Sequence, residues 1–590
     1  MTSPRVIFRS FDPAGRGWES LAFGRPETVV AARQHADVPA VLALAESAAA
    51  AGKWAVLLVT YEAATAFDPA FRTHAPEPAG LPLAWVALFP APLAEIAARH
   101  EAEVGQASFA FDPWQPAVVR AEYAAAIRQV RDYIAAGDTY QVNYTFPLRS
   151  RFRGDALAAW RAMSAAQGAG YSAFLDLGSH QVLSFSPELF FKRAGDELTL
   201  RPMKGTLHRG RFPAEDRLRV QELAASEKNR AENLMILDMV RNDAGRIAVT
   251  GSVHVPRMFE VERYRTVLQM TSTVKARIRP GVRLPELFAA LFPCASITGA
   301  PKVRTLEIIR ELEPFPRGLY TGAIGLVRPG GAAEFSVAIR TVVRDPGTGA
   351  AVFGVGGGIT WDSTAAGEYD ECMLKAAFLT LPAPAFDLLE SLLLEDGTLF
   401  LLERHLHRMR ESADYFGLPW PEARVRTALE QVRNAHPAGA WKVRLLLGPE
   451  GLIRSECAAL AHSAAGGTVW RVALADAPVD SQDTFLFHKT TRRAVYDAAR
   501  KSHPEADDVI LWNERGELTE SCFANLVLDL GSERLTPPLA CGLLAGTFRQ
   551  ELLESGQIRE RVLTREDLRR AAAVHLINSV RRWIRVRQVD

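Results

Sequence analysis

The chain has 590 residues, with 69 Lys plus Arg against 68 Asp plus Glu. A single apolar core rarely grows beyond roughly 250–300 residues, so at least two domains are expected. Hydrophobic residues at 48% and charged residues at 23% exclude disorder, and a formal net charge of +1 excludes the global basic field of a nucleic-acid binder.

The N-terminal stretch MTSPRVIFRSFDPAGRG lacks a basic segment followed by an apolar core, so no signal peptide is expected. No apolar run reaches the roughly 18–20 residues of a membrane span. WAVLLVTYEAA and WVALFP, within the first 120 residues, read as strands belonging to one large N-terminal domain. LFFKR and LTLRPMKGTL, in the same domain, alternate or nearly alternate, as half-buried strands do. The run Ser226–Arg241 has the Ala, Leu, Met and Glu content of a helix, and GAAEFSVAIRTVV and AVFGVGGGITW return to strand. LTLPAPAF, at 379–386, is Pro/Ala-rich and reads as a linker between domains at 1–378 and 387–590. Beyond it come a strand, a tight Asp396-Gly397 turn, a second strand and an amphipathic helix carrying Leu406, Met409 and Phe416. The fold class is α+β. Cys294, Cys372, Cys457, Cys522 and Cys541 form no CxxC pair, which argues against a disulfide framework or zinc knot and suits a reducing cytoplasm.

Several segments carry candidate chemistry. Glu188 lies in SFSPELFF; Glu232, Asp238 and Asp243 lie in SEKNRAENLMILDMVRND; Glu368 and Glu371 lie in AAGEYDECMLK. Three residues apart on a helix, Glu368 and Glu371 share a face, and hard carboxylate oxygens there suit Mg²⁺; the same spacing also describes a solvated acidic face. Gly354, Gly356, Gly357 and Gly358 in GVGGGIT let a backbone approach a ligand, without making the dinucleotide fingerprint. In the C-terminal part, a lone Lys489 reads as a surface amine and Asn513–Gly516 as a hairpin turn.

Taken in order, GDTYQVNYT, SFSPELFF, RPMKGT, KNRAENLMILDMVRND, FPCASITGAPKVRTLEIIRELE, GLYTGAIG, FSVAIRT and GGGITWDSTAAGEYDE resemble the chorismate-utilising family. That family includes anthranilate synthase, isochorismate synthase and aminodeoxychorismate synthase component I. The resemblance spans Gly137 to Glu371 and implies a large two-sheet sandwich with helices outside the sheets. It implies Glu232, Glu368 and Glu371 as magnesium-site carboxylates holding the ring carboxylate of chorismate. Tyr320, Arg340, Thr298 and the backbone at Gly357 would bind substrate, the arginine gripping the enolpyruvyl carboxylate. Glu188 would protonate the departing 4-hydroxyl. Lys204 stands where anthranilate synthases usually have Ala. In aminodeoxychorismate synthases that lysine attacks C2, whereas in isochorismate synthases it serves as a base for water, so both remain open on Lys204 alone. Gln269 replaces a His linked to pyruvate elimination in anthranilate synthases, and Asn229 replaces a common acid. No Cys-centred glutaminase set is recognisable, so a separate glutamine amidotransferase partner supplying ammonia is expected.

FLLERHLHRMRESADYFGL, KVRLLL, FLFHKTTRRAVYD, LWNERGELTESCFANL, LTPPLACGLLAGTFR and HLINSVRRW together resemble the fold-type IV pyridoxal-phosphate enzymes, or class IV aminotransferases, from Asp387 to about Arg585. The resemblance implies Lys489 as the cofactor-bearing lysine, Arg404 as the phosphate-binding arginine and Glu520 as the acid paired with the pyridine nitrogen. Gly546 and Thr547 would receive the phosphate, and Asn525 would support the site. TESCFAN departs from the usual TEGS/T pattern, which implies a cofactor pocket that differs locally. The family includes branched-chain and D-amino acid aminotransferases and 4-amino-4-deoxychorismate lyase. Fusion to a chorismate domain favours the lyase, hence p-aminobenzoate as the product. The alternatives are a true aminotransferase, a first domain forming isochorismate or anthranilate, and a non-catalytic scaffold. Retention of Lys204, Glu232, Glu368, Glu371 and Lys489 argues against the scaffold. A homodimer through the C-terminal domain is expected.

Overall fold

The computed structural model describes residues 5–10, 17–93, 108–265, 267–379, 386–460 and 469–588. Most of the expected linker, 380–385, lies outside them. The chain divides into two compact units: Met1–Arg209 with Arg219–Ala383, and Gly210–Leu218 with Pro384–Asp590.

Among the described residues, the first unit holds two ten-stranded antiparallel sheets. One pairs the long strand Gln141–Gly154 with Ala350–Ile359, and continues through Thr341–Arg344, Gln181–Ser186 and Tyr171–Asp176. The other runs from Met203–His208 through Val267–Arg277, Glu197–Leu200, Leu189–Ala194, Ala333–Val337 and Ala323–Val327 to Trp54–Val59 and Ala84–Phe89. Both sheets contribute to one apolar core: Val142, Phe146, Phe185 and Val355 come from the first, and Leu57, Val59, Phe191 and Phe335 from the second. Burial of two sheet faces against one another is the two-sheet architecture the motifs implied. The Ser226 hydroxyl accepts from the Asn229 N–H and starts the helix Glu227–Gly245, close to the expected span.

Among the described residues, the second unit has a four-stranded antiparallel sheet centred on Leu388–Glu395 and Ala440–Leu447, and a mixed eight-stranded sheet. Asp396 and Gly397 both have positive φ, 46° and 75°, as a two-residue hairpin turn requires. The helix Leu402–Phe416 buries Leu406 and Met409 against strand residues Leu392, Leu394 and Val443. In the larger sheet, Trp470–Leu474 pairs in parallel with both Asp508–Trp512 and Arg582–Gln588. The Gly516 N–H donates to the Asn513 carbonyl at 2.8 Å, closing the turn that leads into Leu518–Ser521. All five cysteines are free thiols. Among the described residues, no helix is long and apolar enough to cross a membrane.

Candidate active sites

Each unit has a cavity lined by the residues that the motifs singled out. The first unit's cavity encloses about 320 Å³ and is lined by Glu188, Lys204, Glu232, Tyr320, Arg340, Gly357, Glu368 and Glu371, among others.

Lys204 sits at an irregularity in strand pairing. The register of Met203–His208 against Val267–Arg277 slips between Met203 and Thr206, and Gly205 within the slip has φ +97°. Such a bulge re-aims one side chain, here into the cavity. Asn233 pins the bulged backbone: its amide donates to the Lys204 carbonyl at 3.2 Å and to the Met270 carbonyl at 3.3 Å, while its oxygen accepts from Ser272. Sequence reasoning missed Asn233, although it stands one position after Glu232 in the same motif. The Lys204 amine lies against Gly358, where an added Cβ would come within 2.5 Å of Nζ. Burial lowers the Lys204 pKa, opposed by the charge of Glu232 and aided by that of Lys375.

Glu188 is 3% exposed, and burial pushes its carboxyl up to about 7. It therefore carries its proton up to near-neutral pH, as a general acid must. Tyr320 lies with its ring over Gly354, where a Cβ would clash at 2.1 Å. Arg340 has φ 49°, a strained conformation for a non-glycine residue, and donates to Gln167 at 3.0 Å.

Glu368 and Glu371 share the helix Ala365–Ala376, as their spacing predicted. Glu368 accepts from Ser363 at 2.7 Å, and Glu371 pairs with Lys375 at 2.8 Å. Burial raises the pKa of Glu232 and Glu368, whereas Lys375 lowers that of Glu371. Among the described residues, no three His, Cys, Asp or Glu side chains converge as a ready metal cluster. The donor set still fits Mg²⁺, which binds through one or two carboxylates and keeps several waters. Asn229 lines the cavity, but its amide donates to the Ser226 hydroxyl at 2.8 Å, so it serves the helix start. Gln269 also lines it and donates to Thr206 at 2.9 Å. Thr298 is not brought to the cavity. It is fully buried, and its hydroxyl donates to the carbonyls of Cys294 and Ala295.

The second unit's cavity encloses about 290 Å³, and Lys489, Glu520, Asn525, Gly546 and Thr547 line it. The Lys489 carbonyl accepts from the Leu389 N–H at 2.9 Å, which fixes the lysine to the smaller sheet. Burial, with Arg408 beside it, pushes the Lys489 amine down to about 8. Glu520 is pushed up to about 7 by burial, and accepts from the Tyr496 hydroxyl at 2.9 Å and the Asn525 amide at 3.2 Å. Asn525 also donates to the Leu544 carbonyl, and its amide oxygen would lie 1.9 Å from any Cβ at position 546, which explains Gly546. Thr547 opens the helix Thr547–Glu554, whose first N–H groups are free to face an anion.

Arg404 is a correction. It lies outside the cavity on the helix surface, bound to Glu551 and Glu554 at 2.8 and 2.7 Å. Arg408, one turn later, lines the cavity instead. Glu390 holds Arg408 through two hydrogen bonds of 2.8 and 2.6 Å, and Arg408 donates to the Ala545 carbonyl at 2.8 Å, next to Gly546 and Thr547. The donor set fits a phosphate-bearing aldehyde cofactor: a half-buried lysine of lowered pKa, a buried acid, and an arginine with a helix N-terminus all line the one cavity.

Residues 11–381 match the chorismate binding enzyme model, and the chain belongs to that family. Residues 387–589 match the model of amino-transferase class IV. Over 262 residues the chain is 44% identical to aminodeoxychorismate synthase component 1 of Salmonella typhimurium, covering 44% of this chain and 57% of that protein. Over 254 residues it is 37% identical to anthranilate synthase component 1 of Neisseria meningitidis, covering 43% of this chain and 51% of the relative. The chain thus spans little more than half the length of these relatives. The crystal structure of anthranilate synthase component I from Streptococcus pneumoniae superposes with a TM-score of 0.51 at 24% identity, over 64% of this chain and 91% of that one. This last likeness concerns the fold.

Proposed function

We propose that the chain makes p-aminobenzoate from chorismate in two steps, one in each unit. The observation that carries the reading is that Lys204 lines one cavity together with the buried Glu188 and the carboxylates Glu232, Glu368 and Glu371. An amine of lowered pKa is a nucleophile, and a carboxyl near 7 is an acid able to protonate a leaving hydroxyl. The 44% identity to a protein named aminodeoxychorismate synthase component 1 supports the same chemistry over an isochorismate-forming one.

In the first unit, Arg340 grips the enolpyruvyl carboxylate, with the Tyr320 hydroxyl and the backbone at Gly357 beside it. Glu232, Glu368 and Glu371 would hold Mg²⁺, which would neutralise the ring carboxylate. The Lys204 amine attacks C2 as Glu188 gives its proton to the 4-hydroxyl, which leaves as water. Ammonia then bonds to C4 and the lysine departs, leaving 4-amino-4-deoxychorismate. A separate glutamine amidotransferase supplies that ammonia, as the name component 1 of the relatives suggests.

In the second unit, pyridoxal phosphate would supply the electron sink that makes the substrate's C4 proton removable. Arg408, Gly546 and Thr547 would hold its phosphate, and Glu520, which accepts from Tyr496 and Asn525, would pair with its ring nitrogen. Lys489 takes the C4 proton and returns a proton to the departing enolpyruvate, giving p-aminobenzoate and pyruvate. The unit acts as a homodimer.

The test is mass analysis of products from purified chain with chorismate, Mg²⁺, ammonium and pyridoxal phosphate, beside Lys489→Ala. Wild type is expected to give p-aminobenzoate and pyruvate, and the variant to accumulate 4-amino-4-deoxychorismate. Isochorismate or anthranilate would overturn the first assignment. Aminodeoxychorismate persisting in wild type, with amino-group exchange between amino and keto acids, would make the second unit an aminotransferase.

A further inference from the structure

Behind the wall that Arg408 and Thr547 present to the second cavity lies a chain of buried polar groups. Glu390 and His405 are each 1% exposed, and Thr547 is 3% exposed. Glu390 Oε2 lies 2.6 Å from His405 Nδ1, and the same carboxylate holds Arg408 in a fork. On the far side of the ring, His405 Nε2 lies 3.1 Å from the Thr547 hydroxyl. Glu390 thus touches both phosphate-facing side chains, one directly and one through an imidazole.

The direction of each proton follows from the partners. Burial pushes the Glu390 carboxyl up, but Arg408 and His405 together outweigh it and hold the group down to about 2, so it is a carboxylate and only accepts. His405 Nδ1 must then carry a hydrogen. With a neutral ring, Nε2 is an acceptor and the Thr547 hydroxyl donates to it, leaving that hydroxyl no hydrogen for a ligand. With an imidazolium, Nε2 donates, the threonine oxygen accepts, and the hydroxyl hydrogen is released toward the cavity. The groups facing His405 are Glu390 from the strand, Arg408 from its own helix, Thr547 from the helix Thr547–Glu554 and Lys489 from the loop. Burial and the two cations favour the neutral ring, and Glu390 opposes them. A phosphate dianion at Arg408 and Thr547 adds negative charge on the other side and shifts the balance to the imidazolium.

We propose that Glu390 and His405 are positioning residues forming a proton-coupled relay, which turns the Thr547 hydroxyl toward a bound phosphate dianion. The relay rests on the reading of this cavity as the cofactor site. It makes phosphate recognition draw one proton from solution, so affinity for the phosphate falls as pH rises past the ring's pKa in the complex.

The probe is pyridoxamine 5′-phosphate, which forms no bond to Lys489, compared with pyridoxamine, which lacks the phosphate. Both are titrated calorimetrically into the full chain near pH 8, in two buffers of different ionisation enthalpy. Wild type is expected to take up a proton with the phosphorylated probe beyond that shown by His405→Asn, whose amide can replace Nδ1 but not Nε2. Glu390→Gln is expected to weaken the phosphorylated probe about tenfold to a hundredfold, with less than a twofold change for pyridoxamine. Thr547→Val, which preserves shape, is expected to weaken the phosphorylated probe alone and so keeps the test usable if Glu390→Gln unfolds. Equal losses for both probes, or identical proton uptake in wild type and His405→Asn, would overturn the relay. Wild type binding neither probe would sink the cofactor reading itself, and the relay with it.

Discussion

The two cavities differ in how they handle charge. In the first unit, Lys204, Lys228, Arg340 and Lys375 share the walls with Glu188, Glu232, Glu368 and Glu371, so cations and acids are matched one for one. In the second, among the described residues, Arg408, Lys442, Lys489, Arg492, Arg493 and Arg581 share the lining with one acid, Glu520, while Glu390 pairs with Arg408 from behind the wall. A matched cavity can poise a lysine and a carboxyl against each other and still offer carboxylates to a cation. An unmatched one is repulsive until an anion enters, and Lys442 shows the strain: burial and the neighbouring Arg444, Arg581 and Arg493 lower its pKa. One site brings its own counter-charges; the lining of the other suits an anionic ligand.

The largest effects should separate the two sites cleanly. Lys204→Ala is expected to slow ammonia incorporation by about 10²- to 10⁴-fold, while conversion of added 4-amino-4-deoxychorismate proceeds at the wild-type rate. A loss in both half-reactions would mean that the sites do not act separately. Next in size, Glu188→Gln should cost about 10²- to 10⁴-fold in the first half-reaction alone. Wild-type turnover of that half should fall above pH about 7 as Glu188 loses its proton, and the variant should lack this limb. A wild-type profile flat from pH 6 to 9 would remove Glu188 as the acid.

The third prediction sharpens the charge contrast within one helix. Arg408→Met should weaken pyridoxal phosphate binding about tenfold to a hundredfold, whereas Arg404→Met should change it less than twofold, both read by absorbance titration. The reverse order would restore Arg404 as the phosphate arginine. The smallest effect is steric: Gly354→Ala presses on the Tyr320 ring and should cost about 1–3 kcal/mol. Thermal unfolding would read it, together with a several-fold rise in KM for chorismate. Unchanged values for both would show that the ring moves aside freely.

The amino-acid sequence by itself marked many of the elements and most of the residues that line the two cavities. Alternation and turn residues marked the strands and the Asp396-Gly397 turn, helical spacing put Glu368 beside Glu371, and the ordered motifs named Lys204, Glu188 and Lys489. Local spacing carries such information because it fixes which side chains share a face. Tertiary structure alone placed Arg408 at the cavity and Arg404 on the helix surface. The two lie four apart in a run of basic residues, on one helix face, and only the positions of Glu390, Glu551 and Glu554 tell them apart. It likewise withdrew Thr298 into the core and brought Asn233 to the Lys204 backbone. It also joined Glu390, His405 and Thr547, separated by up to 157 positions along the chain, into one hydrogen-bonded line. Partners so distant in sequence are chosen by packing, which no local pattern encodes.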